Sequence, residues 1–443
     1  MHLIDNANEL NAEIDWLNKV IETRFNLFFE QDCEYSSIQE LEPPVLEQSS
    51  YAYFIATCQF GFAERIALIM AIATVLRPEV LDVFFLKNKL FDRRFTEFGG
   101  ATGTSSGFMP SLQTLFFVLS ADSLSQRLAL QALFESTHLF IKQHIFELQL
   151  KDNDSIVHSP LKLSDEYFTL LTTGQHYRPS FSSQFPAQLI ETGLSFNDLV
   201  LHPGTLKQVL EIQTFIKHGP TLMHDWGMKH LLRPGYRCLF YGPPGTGKTM
   251  TACILGKVTG RDVYKVDLSQ VVSKYIGETE KNLAKVFDQA EHRDWILFFD
   301  EADALFGKRS GIQDSNDRYA NQETAFLLQR LETFDGIAIL ASNLKDNFDE
   351  AFARRFETMI YFPLPRTEDR LRLWQQGFSD QAQLHADIDL PKIAKDHEFA
   401  GGAILNAIRY ASLQALARNS EVIVLEELLQ GIRKEYAKTG KSG

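Results

Sequence analysis

The octapeptide Gly242-Pro243-Pro244-Gly245-Thr246-Gly247-Lys248-Thr249 has the G-x-x-x-x-G-K-[ST] spacing of a loop that holds phosphate between a strand and a helix. Glycines at 242, 245 and 247 tolerate positive φ and let backbone N–H groups approach an anion. The first turn of a helix opening at Lys248 adds further donors and the positive end of its dipole. Lys248 is placed to reach the β- and γ-phosphates of a nucleotide and Thr249 to complete a Mg²⁺ site, with the contact surface running on to Met250. The competing reading is an ordinary Gly/Pro turn.

Further polar residues sit where such a loop would need them. Trp295-Ile296-Leu297-Phe298-Phe299 is a continuous apolar run, the mark of a central parallel strand covered on both faces, and it ends in Asp300-Glu301. Ligands of open α/β sheets bind at the carboxyl ends of strands. Asp300 is therefore expected beside Lys248 and Thr249 as a Mg²⁺ ligand, directly or through water, and Glu301 as the group that polarises attacking water. A further strand, 337–341, ends in Ser342-Asn343; Asn343 can donate to a γ-phosphate and accept from the lytic water, whereas a bland Asn would cap a turn. The segment 349–356 reads as a short helix with adjacent Arg354 and Arg355. An arginine given to a neighbouring subunit's γ-phosphate is worth about 10³–10⁵ in rate; the alternative is a surface salt-bridge pair. The combined set points to nucleotide hydrolysis.

The elements that must position these residues alternate in a strict order. Strands are expected at 236–241, 261–267, 295–299, 337–341 and 358–361, with a helix after Lys248 and another opening at the acidic run Glu278-Thr279-Glu280. Pro363 and Pro365 mark the exit from the sheet, and 367–377, 390–396, 402–417 and 425–436 read as helices, fitting a lid over the base of a nucleotide. Upstream, Leu10, Ile14, Leu17, Val20, Ile21, Phe25 and Phe28 form one apolar helical stripe. The block 51–150 is mainly helical, broken by a glycine-rich loop at 99–107 that has no Lys-Ser/Thr after it. His138 and His144 fall on different faces of an expected apolar helix and are not read as ligands. The polar stretch 151–188 reads as a linker.

Composition bounds the function classes. The chain has 443 residues, enough for two or three domains. Its formal charge of -13, from 57 acidic against 44 basic residues, argues against a surface built for DNA or anionic lipid. Cys33, Cys58, Cys238 and Cys253 show no metal-binding spacing. With no signal pattern at Met1–Asn6, and a longest apolar run (66–76) short of the ~20 residues a bilayer needs, the expectation is a cytoplasmic protein without membrane insertion.

Gly242 to Thr249, Ile296 to Asp303, Asn343 and Arg354-Arg355 resemble, in order and spacing, the Walker A, Walker B, sensor 1 and arginine-finger motifs of the AAA+ ATPases. The resemblance covers about residues 195–440. It implies an α/β P-loop NTPase base with a five-stranded parallel sheet, a C-terminal helical lid, ATP and Mg²⁺ as ligands, and a homo-oligomeric ring, usually hexameric, with sites at subunit interfaces. Lys274-Tyr275-Ile276 looks like the pore loop that grips a polypeptide client, Tyr275 being the gripping aromatic; a core aromatic is the alternative. Gly401-Gly402-Ala403 resembles a lid contact to nucleotide through Gly402 and Ala403, and Ile404 stands where some clades have an arginine. More narrowly, Asp225-Trp226-Gly227, Ser273 to Leu283 and Asp317 to Glu323 are similar to bacterial AAA+ ATPases encoded alongside phage-tail-like contractile injection systems. That likeness implies a winged-helix-like domain before the ATPase. The implied division is 1–45 an N-terminal helix, 46–150 the winged-helix-like domain, 151–190 a linker, 191–365 the large α/β part and 366–443 the lid.

Two other function classes compete. Asp300-Glu301-Ala302-Asp303 also spells a helicase box, and a winged helix often binds DNA, so a nucleic-acid-stimulated motor is the first rival. A helicase of that type needs a second α/β domain, but only some eighty mainly helical residues follow the sheet. A non-hydrolysing scaffold or switch is the second rival, disfavoured by the presence of Glu301 and the arginines.

Overall fold

The computed structural model describes residues 2–438 except 90–91, 101–106, 121–122, 149–154, 176, 183–184, 272–276, 292, 304–314 and 344–352, with the backbone alone of 2, 270 and 315–321. The chain divides into two compact units, Met1–Arg178 and Pro179–Gly443.

The first unit is mainly helical. Its opening helix α1 (His2–Phe28) buries the expected stripe, from Leu10 through Phe25, with Phe28 packed at its edge. Around it lie α2 (Ser50–Cys58), α3 (Phe62–Leu76), α4 (Leu112–Ser120), α5 (Leu124–Leu130), a four-residue turn α6 (Leu139–Lys142) and α7 (Asp165–Thr173). A second row of α1 is polar and ties chain to chain: the Asn6 amide donates to Leu171 O at 2.8 Å, and the Glu9 carboxylate accepts from the amides of Glu47 and Gln48 at 2.9 and 3.0 Å. Glu13, fully buried, pairs with Arg65 and accepts from Tyr51 Oη at 3.2 Å; burial pushes its carboxyl up against the pull of that arginine. The helix expected to carry both histidines is only α6. His138 caps it, its Nδ1 accepting from Phe140 N at 3.2 Å, while His144 lies beyond it with φ of 51°. The only ladder among the described residues of this unit is a two-residue antiparallel hairpin, β1 (Lys87–Asn88) with β2 (Arg93–Arg94). Most of the glycine stretch 99–107 lies outside the described residues.

Residues 155–190 contribute to both cores. Leu161, Leu163 and Leu171 are buried in the first unit, Phe185 and Ala187 in the second. Short apolar residues among prolines and serines have no period, which is why the stretch looked like a plain connector.

The second unit is built on one sheet. Its strands are β3 (Gln188–Ile190), β4 (Tyr236–Tyr241), β5 (Asp262–Asp267), β6 (Trp295–Asp300), β7 (Ile337–Ser342) and β8 (Thr358–Tyr361), in the order β3-β5-β6-β7-β4-β8. The expected five parallel strands are all present, but the sheet is six-stranded and mixed, because β3 adds antiparallel to the free edge of β5. Three residues, Gln188 exposed and Leu189 and Ile190 half-buried, carry too little pattern to be read as a strand.

Side chains alternate across this sheet, and both faces are covered. Leu239, Val266, Leu297, Phe299 and Leu340 meet the single turn α10 (Leu268–Val271), α11 (Glu278–Ala290) and α12 (Ser315–Thr333). Phe240, Val263, Phe298, Ile339 and Ile360 meet α8 (Pro203–His224) and α9 (Lys248–Thr259). Each such fully buried side chain contributes about 1.5–3 kcal/mol, so the apolar runs fix the sheet and leave its carboxyl edge for polar residues. The four terminal helices, α13 (Thr367–Gly377), α14 (Leu390–Asp396), α15 (Gly401–Ala417) and α16 (Leu425–Lys438), enclose a core of their own around Trp374, Ile404, Ile408 and Leu428.

Candidate functional site

Register brings the polar ends of three strands together. Tyr241 of β4 pairs with Ser342 of β7, and Phe299 of β6 with Leu340. The loop after β4, Asp300-Glu301 after β6 and Asn343 after β7 therefore emerge side by side, and Gly242 N donates to Ser342 O at 3.2 Å. They line a cleft of about 1190 Å³ with Pro244 to Met250, the 198–202 segment before α8, and Gly401, Gly402 and Leu405 of the lid.

The loop has the backbone its glycines foreshadow, with φ of 141°, 75° and 98° at Gly242, Gly245 and Gly247, and α9 opens at Lys248. Lys248 is 8% exposed. Its Nζ donates to Gly242 O at 2.7 Å, Pro243 O at 3.0 Å and, across the cleft, Asn343 Oδ1 at 3.0 Å. All three acceptors are neutral, and among the described residues no carboxylate lies within ion-pair distance of it. Burial holds its pKa below the ordinary lysine value, opposed by the charges of Asp300 and Asp303. A buried cation with only neutral acceptors is suited to an incoming anion. Gly242 and Pro243 lie behind the loop and serve through their carbonyls.

Asp300 closes β6. Its Oδ2 pairs with Lys265 Nζ of β5 at 2.7 Å, and its Oδ1 accepts from Glu301 N at 3.0 Å. Lys265 had no role in the sequence, since its register opposite Phe298, two residues short of Asp300, appears only in the sheet. Glu301 takes a left-handed backbone, φ 54°, which a non-glycine residue adopts at a cost of about 1–3 kcal/mol. Strain of this kind clusters at functional sites; here it accompanies an exposed carboxylate lining the cleft. Asn343 is held from behind, its amide donating to Asp303 Oδ1 at 3.1 Å. Thr249 also lines the cleft. Thr249 and Asp300 offer the hard oxygen donors Mg²⁺ prefers. Among the described residues no group of three or more His, Cys, Asp or Glu could hold a metal by itself, so a cation here would share its shell with phosphate and water. The residues fit that arrangement.

The lid meets the loop through main chain: Gly402 N donates to Gly245 O at 3.1 Å. Ala403 lies one residue further on, its amide bonded to Ala400 O at 3.0 Å, and is not among the described lining residues. Neither are Arg354 and Arg355, which occupy a turn between the helical Ala353 and β8; residues 349–352 of the expected helix lie outside the described residues. Arg354 is exposed; Arg355 Nε pairs with Glu332 Oε1 at 2.5 Å. Lys274, Tyr275 and Ile276 lie outside the described residues.

Comparison with known proteins defines the class. Residues 238–364 match the family described as "ATPase family associated with various cellular activities (AAA)", so the chain carries an AAA ATPase domain. Among individual proteins, it is 33% identical over 239 residues to the 26S proteasome regulatory subunit S10B homolog B of Arabidopsis thaliana, covering 52% of this chain and 59% of that one. It is 33% identical over 246 residues to the proteasome-activating nucleotidase of Aeropyrum pernix, covering 54% and 59%. It is 34% identical over 221 residues to a katanin p60 ATPase-containing protein of Homo sapiens, the A-like 1 form, covering 47% and 44%. The chain thus spans about three-fifths or less of the length of these relatives. No helix among the described residues is long and apolar enough to cross a membrane.

Proposed function

We propose that this chain hydrolyses ATP as one member of a homo-oligomeric ring, hexameric in the simplest case, and uses the energy to remodel or thread a protein partner. The observation that carries the hydrolytic part is the Lys248 ammonium bridging the phosphate loop to Asn343 at 3.0 Å, with Glu301 at the same sheet edge. In this mechanism the loop amides and Lys248 hold the β- and γ-phosphates, and Gly402 and Leu405 close over the nucleotide. Water oriented by Asn343 attacks the γ-phosphorus in line and gives its proton to Glu301, and the bond to the β,γ-bridging oxygen breaks. Mg²⁺, held by Thr249 and Asp300, would neutralise charge on the phosphates. The pair Arg354-Arg355, which does not line its own chain's cleft, is taken to supply the arginine that reaches a neighbour's γ-phosphate.

The remodelling part is supported by the names of the relatives, two of which belong to proteasome systems and one to katanin, and by the Lys274-Tyr275-Ile276 loop as the client grip. The likeness to ATPases of contractile injection systems adds a particle component as client and a winged-helix-like role for 46–150. One observation favours the nucleic-acid rival: Lys87, Lys89, Arg93 and Arg94 are exposed on and beside the β1–β2 hairpin of an otherwise acidic chain.

Steady-state turnover tests the hydrolytic assignment. Glu301→Gln should bind ATP and hydrolyse it at least about 10²-fold more slowly; unchanged turnover would remove the water-activating role. Crosslinking to the trapped Glu301→Gln ring should recover a protein client, and stimulation by DNA or RNA but not by protein would favour the rival.

A further inference from the structure

Arg237 is the second residue of β4, among apolar neighbours, and is 1% exposed. A guanidinium withdrawn from water costs several kcal/mol unless its donors are met, and here they are met from three elements. Nη1 donates to the carbonyls of Pro234, Leu331 and Glu332 at 2.8, 3.3 and 3.4 Å. The last two belong to the C-terminal turn of α12, whose carbonyls have no helical partner. Nη2 and Nε donate to the Glu357 carboxylate at 2.5 and 3.2 Å. Main chain repeats the link, with Arg237 N donating to Glu357 Oε2 at 2.6 Å and Glu357 N donating to Arg237 O at 3.0 Å.

Position gives these bonds a consequence. Glu357 follows Arg354-Arg355-Phe356 directly in the chain. Glu332, whose carbonyl accepts from Arg237, holds Arg355 through its carboxylate. The turn carrying both arginines is therefore braced from two sides, by Glu357 and by Glu332, and Arg237 touches both. From Arg237 the strand runs straight to the phosphate loop at Gly242. One residue thus links the loop of a chain's own site to the turn it offers to a neighbour.

We infer that Arg237 is a positioning residue for the arginine that acts in trans, with Glu357, Glu332 and Arg355 completing the brace and Arg354 entering the neighbouring site. The inference rests on the shared-site reading above. Arg355 is held by Glu332 in its own chain, which assigns it to the brace, and Arg354, the more exposed of the two, is the reaching group. A buried ion pair that only stabilised the fold would behave differently: losing one partner would cost stability, but turnover would not be restored selectively by neighbours that supply intact arginines.

Mixed rings separate the two cases. Arg237→Met keeps much of the buried volume; it should bind an ATP analogue within about threefold of the parent while turnover falls about 10²-fold, the effect of a reacting group misplaced by about 1 Å. Mixed with Lys248→Ala subunits, which lack a working nucleotide site but keep their arginines, it should regain turnover. Mixed with Arg354→Ala subunits it should not, because neither population then donates a well-placed arginine. Recovery with Arg354→Ala but not with Lys248→Ala would put the role of Arg237 in its own phosphate loop and overturn the inference, as would recovery with neither. The Arg354→Ala and Lys248→Ala mixture is the control: failure there removes the shared site itself, a separate result. If Arg237→Met does not fold, Glu357→Gln, at an exposed position, carries the same mixing test, and undiminished turnover in that variant refutes the brace. Arg355→Lys, which keeps a donor for Glu332, should lose less turnover than Arg354→Lys; the reverse order would exchange their roles.

Discussion

Gly242→Ala should disable the site without touching any group that does chemistry. A Cβ built on Gly242 falls 2.3 Å from Phe362 O and 3.0 Å from Phe362 C, where ordinary contact begins near 3.4 Å, so about 1 Å of separation must be found. Phe362 cannot supply it: it is 1% exposed, its amide donates to Tyr241 O at 2.8 Å, and its ring packs on Phe240 with centroids 4.9 Å apart. The φ of 141° at Gly242 is also one that alanine rarely adopts, at a cost of about 1–3 kcal/mol. The loop must therefore move, carrying with it the Gly242 carbonyl that holds Lys248 Nζ at 2.7 Å. A displacement of about 1 Å at a reacting group is worth about 10² in rate, so kcat should fall by that factor and thermal unfolding should come several degrees earlier. Gly193→Ala is the matched control, because nothing lies within 4 Å of the added methyl; it should stay within about 0.5 kcal/mol. Parent-like kcat and stability in Gly242→Ala would refute the argument from close approach.

Asn343→Ala removes one of three acceptors from the buried Lys248 ammonium and should lower kcat about 10- to 100-fold, the worth of a hydrogen bond to a charged group; stopped-flow phosphate release would show it, and an effect confined to KM would argue against a role for Asn343 in orienting water. Tyr275→Ala should leave basal hydrolysis mostly intact and abolish work on a protein client, whereas equal loss of both would mark Tyr275 as structural. In the lid, Arg418 holds the Glu427 carboxyl below its ordinary value near 4.5 through bonds of 2.6 and 3.1 Å. Because the folded pKa is the lower one, the stability Glu427 lends is complete above about pH 4.5 and is lost as pH falls through the folded value. Unfolding curves of Glu427→Gln between pH 6 and 3 should show a shallower acid slope than the parent, and an identical slope would deny the linkage.

Much of the geometry of the candidate site was legible because its residues lie at the ends of strongly patterned strands. The apolar run before Asp300 and the loop before Lys248 each specify strand, turn and polar end in one local stretch. Parallel register then brings Asn343 to Lys248 without any further signal. What was not legible depends on pairs remote in sequence. Arg237 reads as an ordinary residue of a β-prone run until Glu357, 120 residues on, is brought opposite it; the usable clue was a charge inside a strand otherwise apolar enough to be central. Lys265 is hidden the same way, and β3 is too short to show alternation. In the first unit, local periodicity located α1 but not the polar row Asn6, Glu9 and Glu13. Those residues look like a solvated helix face until the 44–51 segment and α7 are laid against them.

The bond between Gly402 N and Gly245 O joins lid to loop by main chain on both sides, so no exchange of side chains can retune it directly. Anything that alters the loop's occupancy alters the free energy of the lid's position. By reciprocity, anything that fixes the lid must change nucleotide affinity by the same factor. A ligand or crosslink placed on α15, far from any phosphate, would then register as a shift in nucleotide Kd, and nucleotide would register as an equal shift in that ligand's own affinity.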